Sequence, residues 1–130
     1  MTSLARVNLL LFAALVAHSV DHAVNQPARE LPASGTVIGV LGFVIVAAST
    51  VMALRRTEHA PAASVFAGMA TALGVAAVHL LPSWSELVSD PYADFGANAI
   101  SWILAIAPLA VGLWLAALGM RELRARPAAT

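Results

Sequence analysis

Four stretches of about twenty apolar residues, 4–24, 34–54, 61–81 and 98–120, constrain this chain more than any other feature. At 1.5 Å per residue each is long enough to cross a hydrocarbon core of roughly 30 Å as a helix. Inside a bilayer the backbone must satisfy its own hydrogen bonds, and no alternating ten-residue pattern points to a barrel. The expected fold is therefore all-α, an integral membrane four-helix bundle. Only 11% of the 130 residues are charged, against about 25% in a soluble domain, so a water-facing surface cannot be covered. The length suits one transmembrane domain, 1–130, in contact with the lipid bilayer, and there is no internal repeat.

The first run also has the charged start and short apolar stretch of a signal peptide, Arg6 followed by Val7–Ala17. Its only small-x-small site, Ala17-His18-Ser19, is poor and the apolar pattern continues to Val24, so a retained first helix is expected. All basic residues are arginines. Arg6, Arg55, Arg56, Arg121, Arg124 and Arg126 fall on one side of the alternating spans, and Arg29 on the other. The positive-inside rule then predicts both termini and the 55–60 loop in the cytoplasm of a bacterial cell membrane, with the 25–33 and 82–97 loops outside.

Net charge is zero, which leaves no electrostatic footprint for nucleic acid. The absence of cysteine excludes disulfides, thiolate metal sites and Cys nucleophiles. Chemistry-bearing residues concentrate at the outer end of the first helix. His18, Asp21, His22 and Asn25 stand at i, i+3, i+4 and i+7, hence on one stripe. Ionisable groups within a membrane span mark functional sites by default. His79 ends the third run. Counted from the helix midpoints, His22 and His79 both lie about 12 Å outward and His18 about 6 Å. Three histidines and an aspartate thus share one side of the membrane and a similar depth.

Helix-packing signals support a close approach. Gly68, Ala72, Val75 and Ala76 share the His79 face, and small residues let membrane helices come near each other. Gly35, Gly39 and Gly42 in the second run, with Gly112 and Ala116 in the fourth, read as ordinary packing positions. Pro108 frees the Leu104 carbonyl and predicts a kink. In the 82–97 loop, Ser83 and Glu86 fit a capping box, which predicts a short interfacial helix with Trp84 at headgroup level. Trp102 reads as an interface anchor. Glu86, Asp90 and Asp94 read as solvated loop acids giving an acidic outer rim, and His59 as a solvated residue of the inner loop.

His18-x-x-Asp21-His22, Gln26-Pro27, His79-Leu80-Leu81-Pro82-x-Trp84-Ser85, Asp90-Pro91-Tyr92 and Ser101-Trp102 together resemble a group of small four-span membrane proteins of high-GC bacteria. The resemblance covers most of the chain and implies the architecture alone.

Several readings of the cluster follow from its residue types. Neutral imidazoles and a carboxylate suit a transition metal such as zinc. His18 and His22 at i, i+4 share one ion in that reading, and His79 is a third ligand. Asp21 is either a fourth ligand or the partner that fixes an imidazole tautomer. An open metal position would allow water activation, hence an enzyme at the outer interface. Alternatively the cluster packs helices, or a partner subunit, in a non-catalytic accessory protein or homo-oligomer. A third reading is b-type haem, with His18 or His22 and His79 as axial ligands. Four helices with no inverted repeat lack the usual transporter signs.

Overall fold

The computed structural model describes residues 1–25, 33–86 and 88–125, with the side chains of 33–35 and Phe95 outside that description. Gln26-Pro27, Arg29, Leu87 and Arg126 of the sequence reading therefore lie outside it, as does the packing of Gly35. The described chain is helical, with four helices long and apolar enough to span a membrane. They are α1 (Ser3–Asn25), α2 (Ala33–Leu54), α3 (Ala60–Val75, continued as a π turn over Ala76–Leu80) and α5 (Ala99–Arg124). A short α4 (Tyr92–Phe95) lies in the loop before α5. The chain forms a multi-pass membrane bundle whose exposed apolar side chains, Val37, Val44, Phe66 and Ile103 among them, face lipid.

Around the bundle, α2 packs on α1 and α3, and α5 packs on α1 and α3, so α1 and α3 are diagonal partners. The closest seam is α3 on α5. A Cβ placed on Gly68 would collide with the Gly112 carbonyl oxygen, and one on Gly112 would stand 2.7 Å from the Gly68 oxygen. Gly119 meets the Pro61 oxygen in the same way, at 2.7 Å. Side chains at these positions would prise the two helices apart, and their absence lets the backbones touch. The glycines of α2 differ from the packing role read for them. No described atom lies within 4 Å of a Cβ built on Gly39 or Gly42, because the outer half of α2 leans away from its neighbours. Pro108 is fully buried within α5, which runs unbroken through it.

On α1 the buried residues include Leu4, Asn8, Leu11, Leu15, His18 and Asp21, one stripe at helical spacing. Its inner half carries a polar knot. Asn8 Nδ2 donates to Ser64 Oγ (2.9 Å), Ser49 Oγ donates to Asn8 Oδ1 (2.7 Å), and the two serine hydroxyls are 3.3 Å apart. Three helices are tied together there, with the amide satisfied inside the apolar core. Arg56 ends α2 in the left-handed region (φ 54°), with Thr57 N–H reaching back to the Met52 carbonyl (3.1 Å). That is a Schellman ending with an arginine where glycine is usual. His59 is exposed in the 55–60 loop, as its isolation in the sequence predicts, 3.2 Å from Glu58.

Candidate functional site

The outer end of α3 sets the geometry. Pro82 has no N–H, so the carbonyls one turn before it lose their chain donors. The helix widens, with Leu81 N–H bonded to the Ala76 carbonyl (3.1 Å). The Ala77 carbonyl accepts instead from the Trp84 indole N–H (2.6 Å), and the Val78 carbonyl from the Asp90 N–H (2.8 Å). The 82–91 loop thus folds back as a cap on the helix end. π turns recur at functional sites because they re-aim a side chain without breaking the helix.

This folding back corrects the expected interfacial helix after Ser83. Residues 82–85 are not helical; Ser89 closes a turn there instead. Its hydroxyl accepts from Trp84 N–H (3.2 Å) and Ser85 N–H (3.1 Å) and donates to the Ser85 carbonyl (2.6 Å). The capping role of the indole on α3 outweighs the local Ser83–Glu86 signal. Helix forms later, at Tyr92, and ends at Gly96 with φ 66°. Glu86 and Asp94 are exposed, as read, but Asp90 is buried (5% exposed), because its backbone is drawn onto α3.

The same loop fixes His79. Its Nδ1 is 3.1 Å from the Asp90 carbonyl oxygen, which can only accept, so Nδ1 carries the proton and the lone pair lies on Nε2. Orientation of an imidazole through its second nitrogen is how metal-ligating histidines are held. His79 meets the two histidines of α1 across the bundle diagonal. Ring centroids are 5.0 Å apart for His18 and His79, 5.1 Å for His22 and His79, and 4.7 Å for His18 and His22. One nitrogen from each of the three lies within 4.8 Å of the other two. α1 and α3 therefore approach at their outer ends, through side chains more than backbones.

His18 and His79 are buried and His22 is half-buried. His18 Nδ1 is buried with no hydrogen-bond partner among the described residues. Leaving such a group unmet costs about 1–3 kcal/mol. Asp21 is 2% exposed and stands outside the three-nitrogen group. Its Oδ1 accepts from Asn25 Nδ2 at 2.5 Å, joining two members of the stripe seen in the sequence. The buried carboxyl stands one turn from His18.

Tyr92 is a site residue that the sequence reading passed over. It is fully buried, 4.6 Å from His79 ring to ring, with its hydroxyl 3.5 Å from His22 Nε2. Trp102 packs edge-on against it at 5.5 Å, so this tryptophan supports the site rather than only anchoring the interface. The Asn98 side chain caps α5 by accepting from the Ile100 and Ser101 N–H groups (2.9 and 3.0 Å), fixing where Trp102 begins to face inward. The Asp-Pro-Tyr run was the available signal, since Pro91 stands at the N-cap of the short helix that begins at Tyr92.

Beside the histidines, between α1, α2 and α3, lies a cavity of about 490 Å³ with mainly apolar walls. Comparison with known proteins returns no matching family model, no matching curated protein and no matching solved structure.

Proposed function

We propose that this is a transition-metal-binding protein of the bacterial cytoplasmic membrane, with the ion held by His18, His22 and His79 near the outer surface. The observation that carries the reading is the mutual approach of three imidazole nitrogens within 4.8 Å, in a span otherwise built from apolar residues. Three imidazoles suit zinc, copper, nickel or iron. An ion about 2.0–2.1 Å from each nitrogen holds them at most about 4.2 Å apart, so binding draws the rings in slightly. Asp21 serves in this reading as a charge-balancing neighbour, not a ligand. Three protein ligands leave a fourth position open, and an open position is what a metal uses to activate water, so hydrolysis at the outer face is the activity this site would carry.

Haem fits less well. It needs two imidazoles on opposite faces of a large flat ring, whereas these three crowd around one point. A second reading, a packing cluster in an accessory subunit, draws on the edge-to-face stacking of His18 on His22 (80°) and on His79 (74°). One experiment separates the readings. Tag-free protein purified in detergent is assayed for metals and its visible spectrum recorded, together with His22→Ala and His79→Ala. Stoichiometric metal, lost in both variants, is the expected result. A metal-free wild type in metal-replete medium, with both variants folded, would establish the packing role instead. A strong haem band would replace the ion with haem.

A further inference from the structure

The cavity beside the histidines has an unusual wall. Gly39 and Gly42 on α2 and Gly74 on α3 all line it, and no described atom lies within 4 Å of a Cβ built on any of the three. Glycines in membrane helices normally serve close helix contact, as Gly68 and Gly112 do here. These three make no such contact, and the missing side chains are what keeps the space open. Elsewhere the walls are mainly apolar, with Leu15, Phe43 and Val75 among them and Thr36, Thr71 and Asp90 among the polar exceptions, and the histidines stand at one end. The outer half of α2 is exposed along this stretch, Val40 and Leu41 at 57% and 54%, so the cavity communicates with the bilayer rather than with water alone.

We propose that this cavity binds one hydrocarbon chain of a membrane lipid, with an oxyanionic end turned towards His18, His22 and His79. A mainly apolar chamber that ends at imidazoles able to hold an ion has the polarity of an amphiphile. A cavity of about 490 Å³ has room for one hydrocarbon chain. The placement of the oxyanion rests on the metal reading, since the open coordination position is what would take it. The chain site itself does not.

Full-length protein in lipid nanodiscs is incubated with a diazirine-bearing palmitate, illuminated, and the labelled peptides are mapped. A diazirine-bearing alkane of equal length serves as the second probe. Metal content is measured on the same samples. Labelling of cavity-lining residues by palmitate is expected to fall about tenfold in Gly42→Leu and Gly74→Leu, because the new side chain takes the space of several methylenes. Unfolding temperatures of both variants check that they are folded, and no described atom lies within 4 Å of either Cβ. Labelling spread evenly over lipid-facing residues, or unchanged in both folded variants, overturns the chain site. So does a cross-link from the cavity to a second copy of the chain. Equal labelling by palmitate and the alkane overturns the oxyanion placement. Loss of labelling with metal retained separates the two sites: it supports the chain site and leaves the metal reading untouched. Metal-free protein that still labels in the cavity supports the chain site and defeats the metal reading.

Discussion

At the scale of single residues, the cluster is specified twice over. His18 and His22 owe their proximity to helical spacing alone, four residues apart. His79 owes its position to a backbone carbonyl eleven residues further on, Asp90, which the chain delivers only after the loop has folded back. Asp21 belongs to the same stripe but is engaged with Asn25 and stands outside the nitrogen group. If it balances charge beside a bound ion, Asp21→Asn keeps the shape and removes the charge. Metal affinity is then expected to fall by about tenfold to a hundredfold, the usual effect of losing an outer partner, as read by competition with a chelator. Protons and the ion compete for the same imidazole lone pairs, so retention should also fall as pH is lowered. Unchanged affinity in Asp21→Asn would detach the carboxylate from the site.

At the scale of elements, the two kinds of glycine make opposite predictions. Gly68 sits where α3 and α5 touch, and a methyl there meets the Gly112 carbonyl. Gly68→Ala should destabilise the bundle by about 1–3 kcal/mol, the range for overpacking. Gly39 faces open space, so Gly39→Ala adds no clash and removes backbone freedom from the unfolded chain. It should stabilise by roughly 0.5–1 kcal/mol. Unfolding in a fixed detergent, monitored by circular dichroism, measures both. Equal effects would mean that α2 packs more tightly than the structure has it. The end of α3 teaches a related lesson. One proline without an N–H leaves carbonyls to be capped, and the loop that caps them carries Asp90 and Tyr92 to the histidines.

For the whole molecule, four spans put the two ends of the bundle's chain on one side, and the arginine distribution predicts that this side is the cytoplasm. The expectation is an externally accessible 82–97 loop and a cytoplasmic C-terminus. Single cysteines at Ser83 and Thr130, in a chain with no native cysteine, can be probed with an impermeant maleimide in intact cells. Labelling at Ser83→Cys and protection at Thr130→Cys is the predicted pattern. The reverse would place the histidine cluster on the cytoplasmic side. Its position in the bundle would be unchanged, at the end where α2 stands away from α1 and α3 and where the cavity opens.

The sequence by itself determined the four helices, because apolar length and the need to satisfy the backbone within lipid leave few alternatives. It also determined that His18, Asp21 and His22 share a stripe, since the helical repeat is a local property. The Gly68 and Gly112 seam was half legible: small residues announce close packing, but nothing local says which helix is the partner. Asn8 was in plain view as an amide inside an apolar run, yet its partners Ser49 and Ser64 lie 41 and 56 residues away. Tertiary structure alone decided that Ser83 starts no helix, that Asp90 is buried, and that Tyr92 stacks on His79. It also decided that the α2 glycines face a cavity. In each case a local preference worth about 1 kcal/mol yields to a distant requirement, the carbonyls left unmet at the end of α3 or the lean of α2. Such requirements depend on which segments meet, and that is settled only when the chain is folded.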